Sequence, residues 1–413
     1  MIFNLVAFGH GSHEAAWRAP HARATAPLEL SHWTECARQA EAAGFDGIFL
    51  GDILCLQDHP EFHPSEALDP FMVLAALASV TKRLTLIGTA STSFNHPFHL
   101  ARRLLSLHHL SGGRAGWNIV TSSYPQEASN FGLPAMPPTE ERYALAEDVT
   151  QAVKALWSSW DGVERIADKE NGRWLNAAPK KVEIEGLFGA INGALNLSPE
   201  PWPRPVLAQA GSSPEGLAFA ARHADQVFTV QSDMEQARAF RLKLHDLARQ
   251  AGRGEADIKV LPGLVPIIAE TEAQAQEKLM ELSAHNSMPH LVTKLEHFTG
   301  LQLGGCDLDG PLPVSAQDLP RNSFSNSRAR LLLEVAEREK LSLRQLAVRF
   351  AAGRGHLLFL GPAEKLGRLM KEWIVSGAAD GFNVMPPELP VDLMLLRKQF
   401  RAIREIAGPS QTG

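Results

Sequence analysis

The stretch that decides the fold is Arg114–Leu133, "RAGWNIVTSSYPQEASNFGL". Its first half is an apolar run of the kind that fills the middle of a sheet, yet Asn118 stands at its centre. The run then breaks into Thr121, Ser122 and Ser123. Side chains on a strand alternate between faces, so Trp117 and Ile119 share one face while Gly116, Asn118 and Val120 share the other. A lone amide among apolar neighbours needs a partner, either a polar group on the next strand or a ligand at the strand's end.

Outward from this run the chain alternates between extended and helical patterns. Extended Ile2–Phe8, helix His32–Ala43, extended Phe45–Leu50, helix Pro70–Ser79, extended Leu84–Thr89 and helix Pro97–Leu110 precede the run Ala115–Thr121, and helix Glu140–Ser158 follows it. The pattern resumes with Val206–Ala210, helix Pro214–His223, Gln226–Val230, helix Met234–Ala251 and Ile258–Ile268. Helical stretches then lead to Gly381–Met385 and a last helix, Asp392–Ile406. Eight apolar strands, each followed by helix, predict an α/β fold of the eight-stranded parallel, TIM-type barrel class. Three segments rich in Gly, Pro and Asn, at 122–138, 160–204 and 286–326, read as enlarged loops of one barrel domain spanning 1–413 rather than as linkers.

Composition narrows the partners. The 413 residues are 45% hydrophobic and 21% charged, enough to bury a sizeable core. A net charge of −6 without a basic block recommends neither nucleic acid nor an anionic membrane surface, so small molecules are the expected partners. The N-terminal apolar run is too short for a signal peptide or a span, which makes the cytoplasm the expected location. Cys36, Cys55 and Cys306 suggest neither a disulfide framework nor a zinc site.

In such a barrel the site lies at the C-terminal ends of the strands, and there polar residues gather. The first strand leads to His10, Ser12 and His13, the second to Asp52, the third to Thr89, Ser91 and Thr92, and the fifth to Gln209, Gly211, Ser212 and Ser213. In "QAGSSPEGLAFAA", Pro214 suits the first helical position and makes Ser213 the N-cap, so free amides point above the barrel where a phosphate fits. Asp52 either accepts hydrogen bonds from a ligand or caps the next helix; spacing does not separate the two. Trp17 and Arg18 in the first loop suit substrate contact or local packing equally. No G-x-G-x-x-G follows the first strand, and no P-loop, H-E-x-x-H or G-x-S-x-G sequence is present. The pair His108–His109 points to different faces of its helix, which argues against a metal there.

"FDGIFLGD", "TASTSFNHPFHLARRLLSLHHLSGGRAGWNIVTS", "NFGL" with "ERYALAED", and "QAGSSPEGLAFAARHAD" together resemble the nitrilotriacetate, pristinamycin and dibenzothiophene-sulfone monooxygenase branch of the bacterial luciferase-like flavoproteins. The likeness runs over most of the chain. It implies a two-component, FMN-dependent monooxygenase that uses reduced FMN from a separate NAD(P)H-dependent reductase, and O2, to oxygenate a small organic substrate. A homo-oligomer is implied as well. Alternatives of the same fold are a flavin or deazaflavin enzyme that transfers hydride without oxygen, and a non-catalytic flavin-binding relative. Matched position by position, the resemblance puts Asp52 and Thr89 near the flavin ring, makes Asn118 the buried amide of the motif, and sets Tyr143, Ser212 and Ser213 on the phosphate. Thr139 stands where relatives often carry histidine, and the loop Leu56–Leu68 is shorter than usual. His10 and His13 are the candidates for handling protons, and the loops, 286–326 above all, are the expected lids.

Overall fold

The computed structural model describes residues 1–57, 60, 61, 63–211, 213–319 and 326–406. The strands are β1 Ile2–Ala7, β2 Gly47–Leu50, β3 Thr85–Ser91, β4 Ala115–Val120, β5 Arg165–Asp168, β6 Arg173–Leu175, β7 Val182–Gly186, β8 Gly189–Gly193, β9 Val206–Gln209, β10 Gln226–Thr229, β11 Lys259–Ile268, β12 Leu357–Gly361 and β13 Gly381–Val384. Eight of them close a parallel ring in the order β1, β2, β3, β4, β9, β10, β11, β13 and back to β1. Helices Leu30–Ala43, Pro70–Ala78, Pro97–Ser111, Thr139–Ser158, Pro214–His223 and Met234–Gln250 follow strands of this ring and cover its outside.

One element departs from expectation. The sequence between β11 and β13 reads as helical stretches around one enlarged loop, yet Leu357–Gly361 forms β12, a further parallel strand paired with Leu264–Ile268. Strand β11 is ten residues long and forks. Its start pairs with β10, Gly263 and Leu264 pair with β13, and its second half runs along β12. A five-residue apolar run carries no period that separates strand from buried helix, which is why "LLFLG" is silent.

Alternation sorts the ring's side chains into two cores. Phe3, Leu86, Trp117 and Phe382 point outward against the helices. Val6, Phe49, Ile87, Ala208, Val265 and Met385 fill the interior. One layer closer to the strands' N-terminal ends the interior turns polar, where Asn4 Nδ2 donates to Gln226 Oε1 at 2.8 Å and to Asn383 Oδ1 at 3.0 Å. Gly47 lies level with Asn4, and any side chain there would press on its carboxamide.

The loops are more structured than their composition suggests. Residues 122–138 contain the helix Pro125–Asn130, and 160–204 carries two hairpins, β5–β6 and β7–β8. The third segment holds the helix Met288–Thr299, while its residues 320–325 lie outside the described ones. Cys36, Cys55 and Cys306 are free thiols, and burial pushes the Cys36 thiol up to about 12.

The interior polar layer makes the first prediction. Replacing Asn4 with Leu leaves Gln226 Oε1 and Asn383 Oδ1 buried without their donor, at about 1–3 kcal/mol each. Urea denaturation of Asn4→Leu is expected to show a loss on the order of 2–4 kcal/mol; unchanged stability would mean that the two acceptors find other donors.

Candidate active site

The C-terminal strand ends open on a cleft of about 810 Å³. Strand β4 lies between β3 and β9 with Asn118 level with Thr89 on one side and Ala208 on the other. Asn118 Nδ2 donates to Thr89 Oγ1 at 2.9 Å, and the Thr89 hydroxyl in turn donates to the Leu50 carbonyl at 2.8 Å. The other half of the amide is unused: Asn118 Oδ1 is buried with no partner, although the residue lines the cleft. Such an acceptor costs about 1–3 kcal/mol unless something donates to it. Trp117 turns the opposite way and donates through Nε1 to the Ala90 carbonyl at 3.0 Å.

The hydrogen-bonding residues that end β4 hold a sharp turn. Ser122 takes a left-handed backbone with φ 55°, and the loop folds around the buried Glu127 carboxylate. That carboxylate accepts from Ser122 Oγ at 3.1 Å, from the Ser123 and Tyr124 amides at 3.2 Å each, and from the Leu54 amide at 3.1 Å. From the helix Thr139–Ser158, Arg142 donates to Thr121 Oγ1 at 3.1 Å, to Thr139 Oγ1 at 3.0 Å and to the Ser122 carbonyl. Sequence reasoning missed both Glu127 and Arg142, although Arg142 directly precedes Tyr143.

Across the mouth, after β9, Ser213 caps the helix Pro214–His223, and its Oγ accepts from the Gly216 amide at 3.1 Å. Gln209 Nε2 donates to the Tyr143 hydroxyl at 3.3 Å, while Gln209 Oε1 is buried without a partner. A Cβ at Gly211 would collide with the Tyr143 hydroxyl and the Gln209 amide, and one at Gly216 would crowd the same hydroxyl. Two glycines therefore let a tyrosine hydroxyl reach a helix N-terminus. Burial pushes the Tyr143 hydroxyl up, so it stays protonated and able to donate. Ser212 lies outside the described residues.

Asp52, Thr139, His10 and His13 also line the cleft. The helix after β2 is capped by Asp69, which accepts from the Phe71 and Met72 amides, so capping is not the work of Asp52. Burial raises the Asp52 carboxyl to about 6, helped by the charge of Asp69. His10 Nε2 meets the Arg23 carbonyl at 2.9 Å. His13 is engaged at both nitrogens, with the Ala15 amide donating to Nδ1 at 3.1 Å and Nε2 meeting Ser283 Oγ at 3.0 Å. Burial lowers both histidines, His13 to about 4. Trp17 lines the cleft as well, with the Arg18 guanidinium over its ring. His108 and His109 bond the Pro203 and Ser198 carbonyls.

A charged wall stands on the β1 side, and none of it was visible as a motif. Glu14 accepts from Lys294 Nζ and from Arg354 Nη2, each at 2.7 Å. Burial alone would raise the Glu14 carboxyl, but the two cations outweigh it and hold it near 2. Arg328 and His356 line the cleft beside them. Burial together with the two arginines pushes the His356 ring down to about 3, so it is neutral, and it stacks on Phe228 with centroids 5.2 Å apart.

A parallel barrel whose mouth joins an orphaned amide to a glycine-lined helix N-terminus defines a cofactor-binding α/β-barrel enzyme. Residues 10–378 match the family model of luciferase-like monooxygenases. The chain is 39% identical over 385 residues to the N-acetyl-S-(2-succino)cysteine monooxygenase of Bacillus subtilis strain 168, covering 92% of this chain and 87% of that one. It is 36% identical over 396 residues to nitrilotriacetate monooxygenase component A of Aminobacter aminovorans, covering 92% and 86%. Among solved structures, a riboflavin lyase with modified FMN and riboflavin superposes with a TM-score of 0.84 at 27% identity, over all of this chain and 93% of the other. The chain belongs to the luciferase-like monooxygenase family and is a flavin-dependent monooxygenase. Among the described residues no helix is long and apolar enough to cross a membrane, and no group of three His, Cys, Asp or Glu is arranged to hold a metal ion.

Two predictions follow from this geometry. Replacing Asn118 with Leu removes an acceptor that has no donor together with the Nδ2 bond to Thr89 Oγ1, so the ligand-free melting temperature should change little while flavin affinity falls. Early melting with full flavin affinity would make Asn118 an ordinary core residue. For Asp52 the folded carboxyl titrates near 6 and an unfolded one near 3.8, so the native state binds more protons between these values. Its burial therefore destabilises the fold progressively as pH rises from about 4 to 6. Asp52→Asn should match the wild type in stability near pH 4 and exceed it at pH 7; a pH-independent difference would place the carboxyl in an unshifted environment.

Proposed function

We propose that this chain is the oxygenating component of a two-component system, binding reduced FMN delivered by a separate NAD(P)H-dependent reductase and using O2 to oxygenate a small organic substrate. The observation that carries this reading is Asn118 Oδ1, a buried acceptor with no donor of its own, at the mouth of a parallel barrel. Its chemistry fits an N–H edge of the flavin ring. Another buried acceptor without a donor, Gln209 Oε1, and the space kept by Gly211 and Gly216 fit the ribityl phosphate end.

On this reading Ser213 Oγ, the first amides of the helix Pro214–His223 and the Tyr143 hydroxyl hold the phosphate, where the helix dipole favours an anion. Thr139 meets Arg142 instead of supplying an imidazole, so that position steadies the guanidinium and moves no proton. Reduced FMN supplies the electrons that activate O2. The protein holds the ring against Asn118 and keeps water out with Phe49, Phe228, Val265 and Met385 in the floor of the cleft. Asp52, titrating near 6, is the cleft carboxyl best placed in pKa to give up or take a proton near neutrality. His13, neutral and bonded at both nitrogens, orients the first loop.

The test is turnover with and without a flavin reductase, combined with FMN titration of Tyr143→Phe and Ser213→Ala. Oxygen-dependent product is expected only when reductase or chemically reduced FMN is supplied. Each variant should weaken FMN by roughly tenfold, the loss expected for one hydrogen bond to a charged group. Robust turnover with NADH, FMN and this chain alone would contradict the division of labour; unchanged FMN affinity in both variants would contradict the phosphate site.

A further inference from the structure

The cleft holds more positive charge on its β1 side than the fold needs. Glu14 is the carboxylate bonded to Lys294 and Arg354, and it serves both of them. Arg328, from the first turns of the helix Asn326–Glu339, faces the same space, and no carboxylate among the described residues acts on it. Its neighbours are instead the Tyr124 hydroxyl, which burial keeps protonated and neutral, and the Arg354 cation, which repels it. On this wall three cations stand against one carboxylate beside a neutral His356, while Asp52, Glu66, Glu127 and Arg142 line the rest of the cleft.

Arg354 bears the mark of a side chain retained for its head group. It ends the helix Leu343–Gly353 in the left-handed region, with φ 47° and ψ 37°, where helices usually place glycine. A side chain there is strained, and the residue that follows, Gly355, would have suited the same role. Although it sits deep among protein atoms, the Arg354 side chain is 46% exposed, because it opens onto the cleft.

The Glu14 end of the wall stands on the other side of the ring from the proposed phosphate cradle. Glu14 follows β1, which stands four strands around the ring from β9, the strand that leads to Ser213. Arg328 reaches back towards that side, since its backbone carbonyl and the side chain of Val230, which follows β10, both lie beside Gly355.

We infer that Arg328 and Arg354, with Lys294 beside them, bind a carboxylate of the substrate, and that the substrate is an organic acid carrying at least one and preferably two carboxylates. This rests on the flavin reading above in assigning the remaining space to substrate. The planar guanidinium fork of Arg328 meets a carboxylate through two parallel hydrogen bonds, and Glu14 keeps Arg354 and Lys294 in place without cancelling the wall. A neutral molecule in the same position would leave the Arg328 guanidinium without a carboxylate, while Arg354 keeps Glu14.

The test is calorimetry with three simple dicarboxylates, succinate, iminodiacetate and thiodiacetate, each against its neutral diamide, on flavin-free and FMN-saturated protein. At least one diacid should bind ten times or more tighter than its diamide, with an affinity that falls as salt is added. Arg328→Gln should weaken that diacid by roughly 10- to 100-fold, the range of a charge-assisted pair, and leave the diamide and FMN unaffected. Arg328→Lys should restore part of the loss. Arg354→Gly, which suits the left-handed backbone, should fold and show the same selective loss. Equal binding of diacids and diamides overturns the inference, as does weaker FMN binding in Arg328→Gln, which would make the wall the phosphate site. Failure of the wild type to bind FMN sinks the flavin reading instead, while the diacid comparison on flavin-free protein still decides this one.

Discussion

The register of β4 between β3 and β9 is the constraint on which the mouth of this barrel depends. With Asn118 level with Thr89 and Ala208, one amide hydrogen is used by a neighbouring strand and the carbonyl oxygen is left facing the cleft. A slip by one residue would turn Trp117 into the barrel and Asn118 out among the helices, since side chains on a strand alternate strictly. The parallel ring then sets the C-terminal end of every strand at one rim. Groups far apart in sequence, from Glu14 to Arg354, come to line a single space.

That space is divided by charge. On the β9 side the polar groups are hydroxyls, amides and a helix N-terminus, and glycine at 211 and 216 keeps room for them. On the β1 side they are guanidinium and ammonium groups around one carboxylate. Between the two the floor is apolar, and His13 and His356 are held neutral by burial. A cofactor that ends in a phosphate and a substrate that carries carboxylates fit this division without competing for one site. A low-dielectric floor between them strengthens each electrostatic contact.

Much of this was legible in the sequence, for physical reasons that also explain the gaps. The apolar runs of the ring strands and the Ser213–Pro214 helix start are local signals, and local signals survive in one dimension. The strand-end residues Asp52, Thr89 and Asn118 were picked out because a parallel barrel tells the reader where to look, and Tyr143, inside a helix, came from the family resemblance; all four line the cleft. Strand β12 was missed because five apolar residues have no readable period. Glu127 and Arg142 were missed because loop-holding charges look like any surface charge until the loop is folded around them. Glu14, Lys294, Arg328 and Arg354 span most of the chain with no spacing to link them; only closure of the ring brings them together.

The central claim is that flavin and substrate are held by separate groups in this cleft, and a crystal structure of the protein with FMN tests it most directly. Density should place the phosphate against Ser213, Tyr143 and the first amides of the helix Pro214–His223, with a ring N–H donating to Asn118 Oδ1 and the Arg328–Arg354 wall open to the substrate side. A phosphate seated on Arg328, Arg354 and Lys294, with Asn118 Oδ1 still unpaired, would contradict it.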